Sequence, residues 1–153
     1  MLADAAVYGL SLYAVGRGFK KQIKSARLSG LLQITLGTGV LLEVLRRLLL
    51  GSEPDSLRIM GIGVVALVAN IYCLMLISGH RNSGVHMRAS WIFSTNDVIA
   101  NLGVILSGFL VWVVGNRFPD LIVGAIISAV IVRGGIKILQ EAKQEKKPTL
   151  VHN

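Results

Sequence analysis

The 153 residues fit one domain, and 53% of them are hydrophobic against 16% charged, well below the roughly 25% charged residues of a soluble globule. With a mean hydropathy of +0.65, this balance excludes a disordered chain and an ordinary water-soluble fold. The net charge of +8 would suit a nucleic-acid binder, but aromatics make up only 6% and the bases flank apolar runs, as in the charge asymmetry of membrane proteins; no nucleic-acid partner is expected.

Five apolar stretches follow in chain order. The first, Met1 to Val15, is short. The others run from about Leu28 to Leu50, Leu57 to Gly79, Ala89 to Val114 and Leu121 to Leu139. A helix needs roughly 20 apolar residues to cross a hydrocarbon core of about 30 Å, so the last four qualify. The three prolines, Pro54, Pro119 and Pro148, lie outside the stretches, where a missing N–H is harmless. The first stretch is not expected to be a secretory signal, because it lacks a basic start and Asp4 stands where one belongs. The lone Cys73 supports neither a disulfide framework nor a metal knuckle.

The expected fold is an all-α, polytopic membrane helix bundle in the lipid bilayer. Residues 1–140 form the transmembrane domain, and 141–153 form a short polar tail. The connector Gly16–Arg27 is basic, Gly51–Ser56 is acidic, Gly79–Arg88 holds His80 and His86, and Gly115–Asp120 reads as a turn. Alternating helices place the first connector, the third connector and the tail on one side. That side collects twelve of the sixteen Lys and Arg residues, which orients the tail to the cytoplasm.

A charge inside a bilayer is expensive and needs a reason. Asp97 lies well within the fourth stretch, and Ser90, Ser94 and Asn101 share its helical face, with Asn96 flanking. One reading is a cation ligand or proton carrier facing a cavity. The other is an Asp satisfied by helix–helix hydrogen bonds. Asp4 reads as a second site residue or as a complement to its helix dipole. Glu43 is expected to pair with Arg46 and Arg47. Gln33, Thr35, Thr38 and Asn70 suit interhelical hydrogen bonds, with a lining role open for Asn70. His80 and His86 read as a solvated loop or as metal capture. Gly37, Gly39, Gly61, Gly63, Gly103 and Ser107 read as close-packing sites. Trp91 and Trp112 lie where interface anchors belong. No nucleophile–base arrangement occurs, so transport or scaffolding is expected and catalysis is not.

The segment Val85–Gly108, VHMRASWIFSTNDVIANLGVILSG, resembles the fifth transmembrane helix of the cation diffusion facilitator (cation efflux) family. Arg88-Ala89-Ser90, Asp97 and Gly103-Val104-Ile105 match that helix in register. Pro119-Asp120-Leu121-Ile122 and Arg133 resemble its sixth helix, Asn70 a fourth-helix Asn, and Met1–Ala5 the end of the second-helix motif, with Asp4 as its final acid. The resemblance implies five helices, the second to sixth of a six-helix fold, in a homodimeric, proton-coupled antiporter. It would export a divalent metal cation such as zinc, cobalt, cadmium, iron or manganese, with no resident cofactor. It implies metal ligation by Asp4 and Asp97. Phe93 stands at the family's fifth-helix His position, and the first residue of the second-helix pair would precede Met1. The remaining oxygen donors, with Ser94, Asn96 and Asn101 as candidates, suit a harder cation. A functional polypeptide beginning upstream of Met1 is expected. The alternative is a non-transporting subunit or decayed fragment of such a transporter.

Overall fold

A computed structural model describes residues 2–51 and 56–145. They form five helices and, among the described residues, no strand: α1 Leu2–Ala14, α2 Phe19–Leu50, α3 Ser56–Ser78, α4 Val85–Val114 and α5 Phe118–Gln144. The last four carry spans long and apolar enough to cross a membrane. At 1.5 Å per residue α1 is only about 20 Å long. The chain is thus a multi-pass helical membrane bundle.

The helices begin earlier than the apolar runs do. α2 starts at Phe19, so Lys20, Lys21, Lys24 and Arg27 occupy helical turns rather than a connector. Its 32 residues extend about 48 Å, well beyond a hydrocarbon core. α4 likewise starts at Val85, and His86 falls in its first turn. α5 runs on to Gln144, past the expected tail boundary, and residues 146–153 lie outside the described residues.

Helix direction sorts the bundle into two ends. The α1–α2 and α3–α4 connectors and the end of α5 meet at a basic end, joined by Arg88 and Glu141 at 3.8 Å. At the opposite end, Arg47 of α2 reaches Asp120 of α5 at 2.8 Å.

α2 and α5 pack closely because small residues leave room. A Cβ on Gly135 would lie 2.6 Å from Ile34 and 2.8 Å from the Gly30 carbonyl, and one on Gly37 would lie 2.8 Å from Val132. Ser128 donates to the Gly37 carbonyl at 2.9 Å. Gly103 fits against Ile127 and Gly63 against Ile105. Gly39 and Gly61 differ from expectation: no other side chain among the described residues comes within 4 Å of a Cβ built there. Gly124 closes on Val44, and Ser107, like Ser128, bonds a group of this same chain.

Among the described residues α3 is peripheral and packs only on α4. No close backbone approach links α1 with α3 among the described residues. The space between them is a cavity of about 640 Å³.

Candidate cation site

Two polar pairs tie α1 to α4. The Ser11 and Ser90 hydroxyls bond each other, and Tyr8 donates to the Ser94 Oγ at 3.0 Å. Ser11 also donates to the His86 carbonyl at 3.3 Å. These pairs set an antiparallel register, because α1 runs toward the basic end and α4 away from it. One further turn along both helices lie Asp4 and Asp97. The Asp4 side chain lies outside the described residues. Asp97 is half-buried and stands about 18 Å along α4 from Val85.

The cavity opens at the basic end beside His80, Ser83 and Gln22 and is walled by Leu12, Cys73, Leu76 and Ile77. It ends at Tyr8, Ser11 and Ser90. The Tyr8–Ser94 hydrogen bond therefore stands between the cavity and the depth of Asp97.

Among the expected site residues, Ser94 is buried and held by Tyr8, on the face that meets α1. Asn101 is half-buried one turn beyond Asp97. Asn96 points elsewhere. Its amide lies against Gly134, so close that a Cβ there would fall 1.8 Å from Nδ2. A helix turns by about 100° per residue, which carries Asn96 off the α1 face and onto α5. Phe93 is 1% exposed and packs in the core with Val7, Ile23 and Ala89.

Two residues lie level with Asp97 on other helices. Gly63 packs on Ile105, and counting seven residues along each of these antiparallel helices sets Asn70 opposite residue 98. Asn70 is buried, and α3 packs only on α4, so it faces α4. The Gly30–Gly135 and Asn96–Gly134 contacts likewise put Gln33 near the depth of Asp97. Gln33 is 1% exposed, and neither amide atom has a hydrogen-bond partner among the described residues. Its mid-span position was the sequence signal. Tyr8 was missed, although it stands four residues from Asp4 and so on the same helical face.

Other polar residues resolve differently. Thr35 and Thr38 bond the carbonyls of Leu31 and Ile34 in their own helix, not a neighbouring one. Glu43 does pair with Arg46 and Arg47. His86 is 2% exposed, in contrast to the solvated loop; its ring lines the cavity, and both nitrogens lack a hydrogen-bond partner among the described residues. His80 is exposed. No three His, Cys, Asp or Glu side chains gather for a metal among the described residues.

Residues 22–145 match the Cation efflux transmembrane domain family. The chain is similar to the "Cadmium, cobalt and zinc/H(+)-K(+) antiporter" of Bacillus subtilis (strain 168), at 21% identity over 131 residues, 82% of this chain and 41% of that protein. It is also similar to the "Zinc transporter ZitB" of Yersinia pseudotuberculosis serotype I (strain IP32953), at 24% identity over 85 residues, 55% of this chain and 27% of that protein. The chain thus spans less than half the length of these curated relatives. With most of its helical bundle inside the matched region, the chain belongs to the cation efflux transmembrane domain family.

Proposed function

We propose that this chain forms the pathway of an exporter for a divalent metal cation, with its basic end and C-terminus in the cytoplasm. The observation that carries the reading is the α1–α4 register. It sets Asp4 and Asp97 one turn beyond the hydroxyl pairs that end the cavity. Family membership and the named activities of the relatives support the same reading.

The cation enters the cavity from the cytoplasm and exchanges hydration water for the hydroxyls of Ser11, Ser90, Tyr8 and Ser94. Asp97, with Asp4 across from it and Asn70 and Asn101 nearby, supplies the charge that offsets the cation's desolvation. Phe93 offers no nitrogen donor, so the donor set is oxygen and favours a harder cation such as manganese or iron over cadmium. The carboxylates exchange cation for protons, and rocking of helices about the site exposes it to the other side. The working unit is a homodimer. Gly103, Ser107, Gly124 and Ser128 are used within the chain, so its interface lies on other surfaces. Cross-linking in native membranes tests the dimer, and a product that is only monomer excludes it.

The transport test is uptake into vesicles containing the chain, with manganese, iron, cobalt, zinc and cadmium each supplied against a proton gradient. The wild type is expected to accumulate at least one of them, and Asp97→Asn to fall to the level of empty vesicles. Uptake unchanged in Asp97→Asn, or absent in the wild type for every cation, rejects the reading.

A further inference from the structure

A second recess, separate from the α1–α4 face, opens between α4 and α5 toward the basic end. It has a volume of about 380 Å³, and its walls include Arg88, Trp91, Asn96, Arg133, Lys137 and Glu141. Charge there does not cancel. Glu141 meets Arg88 at 3.8 Å, whereas Arg133, level with Asn96, and Lys137, one turn nearer the basic end, are exposed with no ion-pair partner among the described residues. Arg81, from the α3–α4 connector, stands over the Trp91 ring at 5.5 Å and adds another cation beside the rim.

The floor is polar as well. Asn96 is 8% exposed, and its Nδ2 has no acceptor among the described residues. Gly134 leaves the room that this amide occupies. Eight residues separate Arg88 from Asn96, so the donor lies about 12 Å deeper than the first cation.

We propose that this recess binds an anionic glycerophospholipid. The phosphate sits by Lys137 and Arg88, with the long Arg133 side chain reaching up to it from below, where headgroups meet a bundle of this orientation and where basic recesses between helices attract anionic lipid. Trp91 lies at the same level, as interfacial aromatics do. The amide of Asn96 donates to an ester carbonyl below the phosphate and so gains the acceptor it lacks. A free phosphate would use the cations alone. The deeper donor, with Val130 beside it on the wall, matches a glycerol ester continued by an acyl chain.

The test is native mass spectrometry of the full chain in detergent, titrated with phosphatidylglycerol, phosphatidylcholine or glycerol phosphate. Phosphatidylglycerol is expected to form a retained adduct roughly tenfold more readily than phosphatidylcholine. The double variant Arg133→Gln, Lys137→Gln should lose that preference. Lys143→Gln, which changes a last-turn base outside the recess, should keep it, and Asn96→Leu should weaken it. A photoreactive phosphatidylglycerol on the wild-type chain needs no variant to fold, and should label α4 and α5 around Trp91 and Arg133. Equal adducts with phosphatidylcholine, an unchanged double variant, or labelling elsewhere overturns the proposal. So does displacement by equimolar glycerol phosphate, or indifference to Asn96→Leu, since either marks a site for free phosphate. Cross-links between two copies across the recess would also overturn it, by placing a protein there instead.

Discussion

The two ends of the bundle solve the same problem in opposite ways. At the opposite end, the polar groups satisfy each other across three helices. Glu43 accepts from Arg46 and Arg47, Arg47 donates to Asp120 at 2.8 Å, and Asp120 accepts from Ser107 at 2.9 Å. That network joins α2, α4 and α5. From the basic end to the depth of Asp97, α1 and α3 stand apart around a cavity, and the His86 ring nitrogens, the Gln33 amide and Asn96 Nδ2 are buried without hydrogen-bond partners among the described residues. Buried polar groups normally find partners. One end is therefore held shut by directional bonds and the other is open and under-satisfied.

The largest test of that contrast breaks the closed end. Asp120→Ala removes the acceptor for Arg47 and Ser107 and leaves a guanidinium that is only 29% exposed without its partner on α5. We expect a loss of about 1–3 kcal/mol, measured by denaturation in mixed micelles. It should also open the opposite end at the expense of the cavity. Cys73 lines the cavity and is the sole cysteine, so its labelling by a small thiol reagent reports the change. Labelling should slow in Asp120→Ala. Unchanged stability and unchanged labelling would show that the network holds nothing shut.

A smaller effect of opposite sign is expected toward the basic end. His86→Leu removes two ring nitrogens that have no partner among the described residues, and the carbonyl that Ser11 bonds belongs to the backbone and survives the change. Replacing a buried unsatisfied polar group by an apolar one of similar size should be neutral or stabilise by about 1 kcal/mol. A loss of more than about 1 kcal/mol would mean that the imidazole is satisfied, and the contrast between the ends would fail on that side.

The sequence makes one of these ends more legible than the other. Four spans follow from uninterrupted apolar runs, and the pairing of Glu43 with Arg46 and Arg47 follows from helical spacing. The start of α2 does not follow, because Lys20, Lys21 and Lys24 are good helix formers whose charge hides them from a hydropathy reading. The seating of Arg47 on Asp120 depends on how α2 meets α5, which depends on Gly30, Gly37 and Gly135. In the candidate site, the shared face of Ser90, Ser94, Asp97 and Asn101 is local periodicity and could be read directly. The direction of Asn96 and the burial of His86 could not. Both depend on which helix lies alongside α4, and that is fixed by packing between distant segments.

The finest test concerns the boundary between the open cavity and the depth of Asp97. Tyr8→Phe deletes a single hydroxyl and keeps the ring. Ser94 loses a donor at 3.0 Å, but a helical serine can turn to bond the carbonyl four residues back. The stability loss should therefore stay below about 1 kcal/mol. The effect on access should be larger than the effect on stability, because that hydrogen bond spans α1 and α4 where the cavity ends. Asn101→Cys in a Cys73→Ser background places a thiol one turn beyond Asp97. With the reagent supplied at the basic end, Tyr8→Phe should raise its labelling rate several-fold while thermal denaturation moves little. Equal labelling with and without the Tyr8 hydroxyl would mean that the bond is only a contact between helices, and that the barrier between the cavity and Asp97 is built from the apolar packing around Phe93.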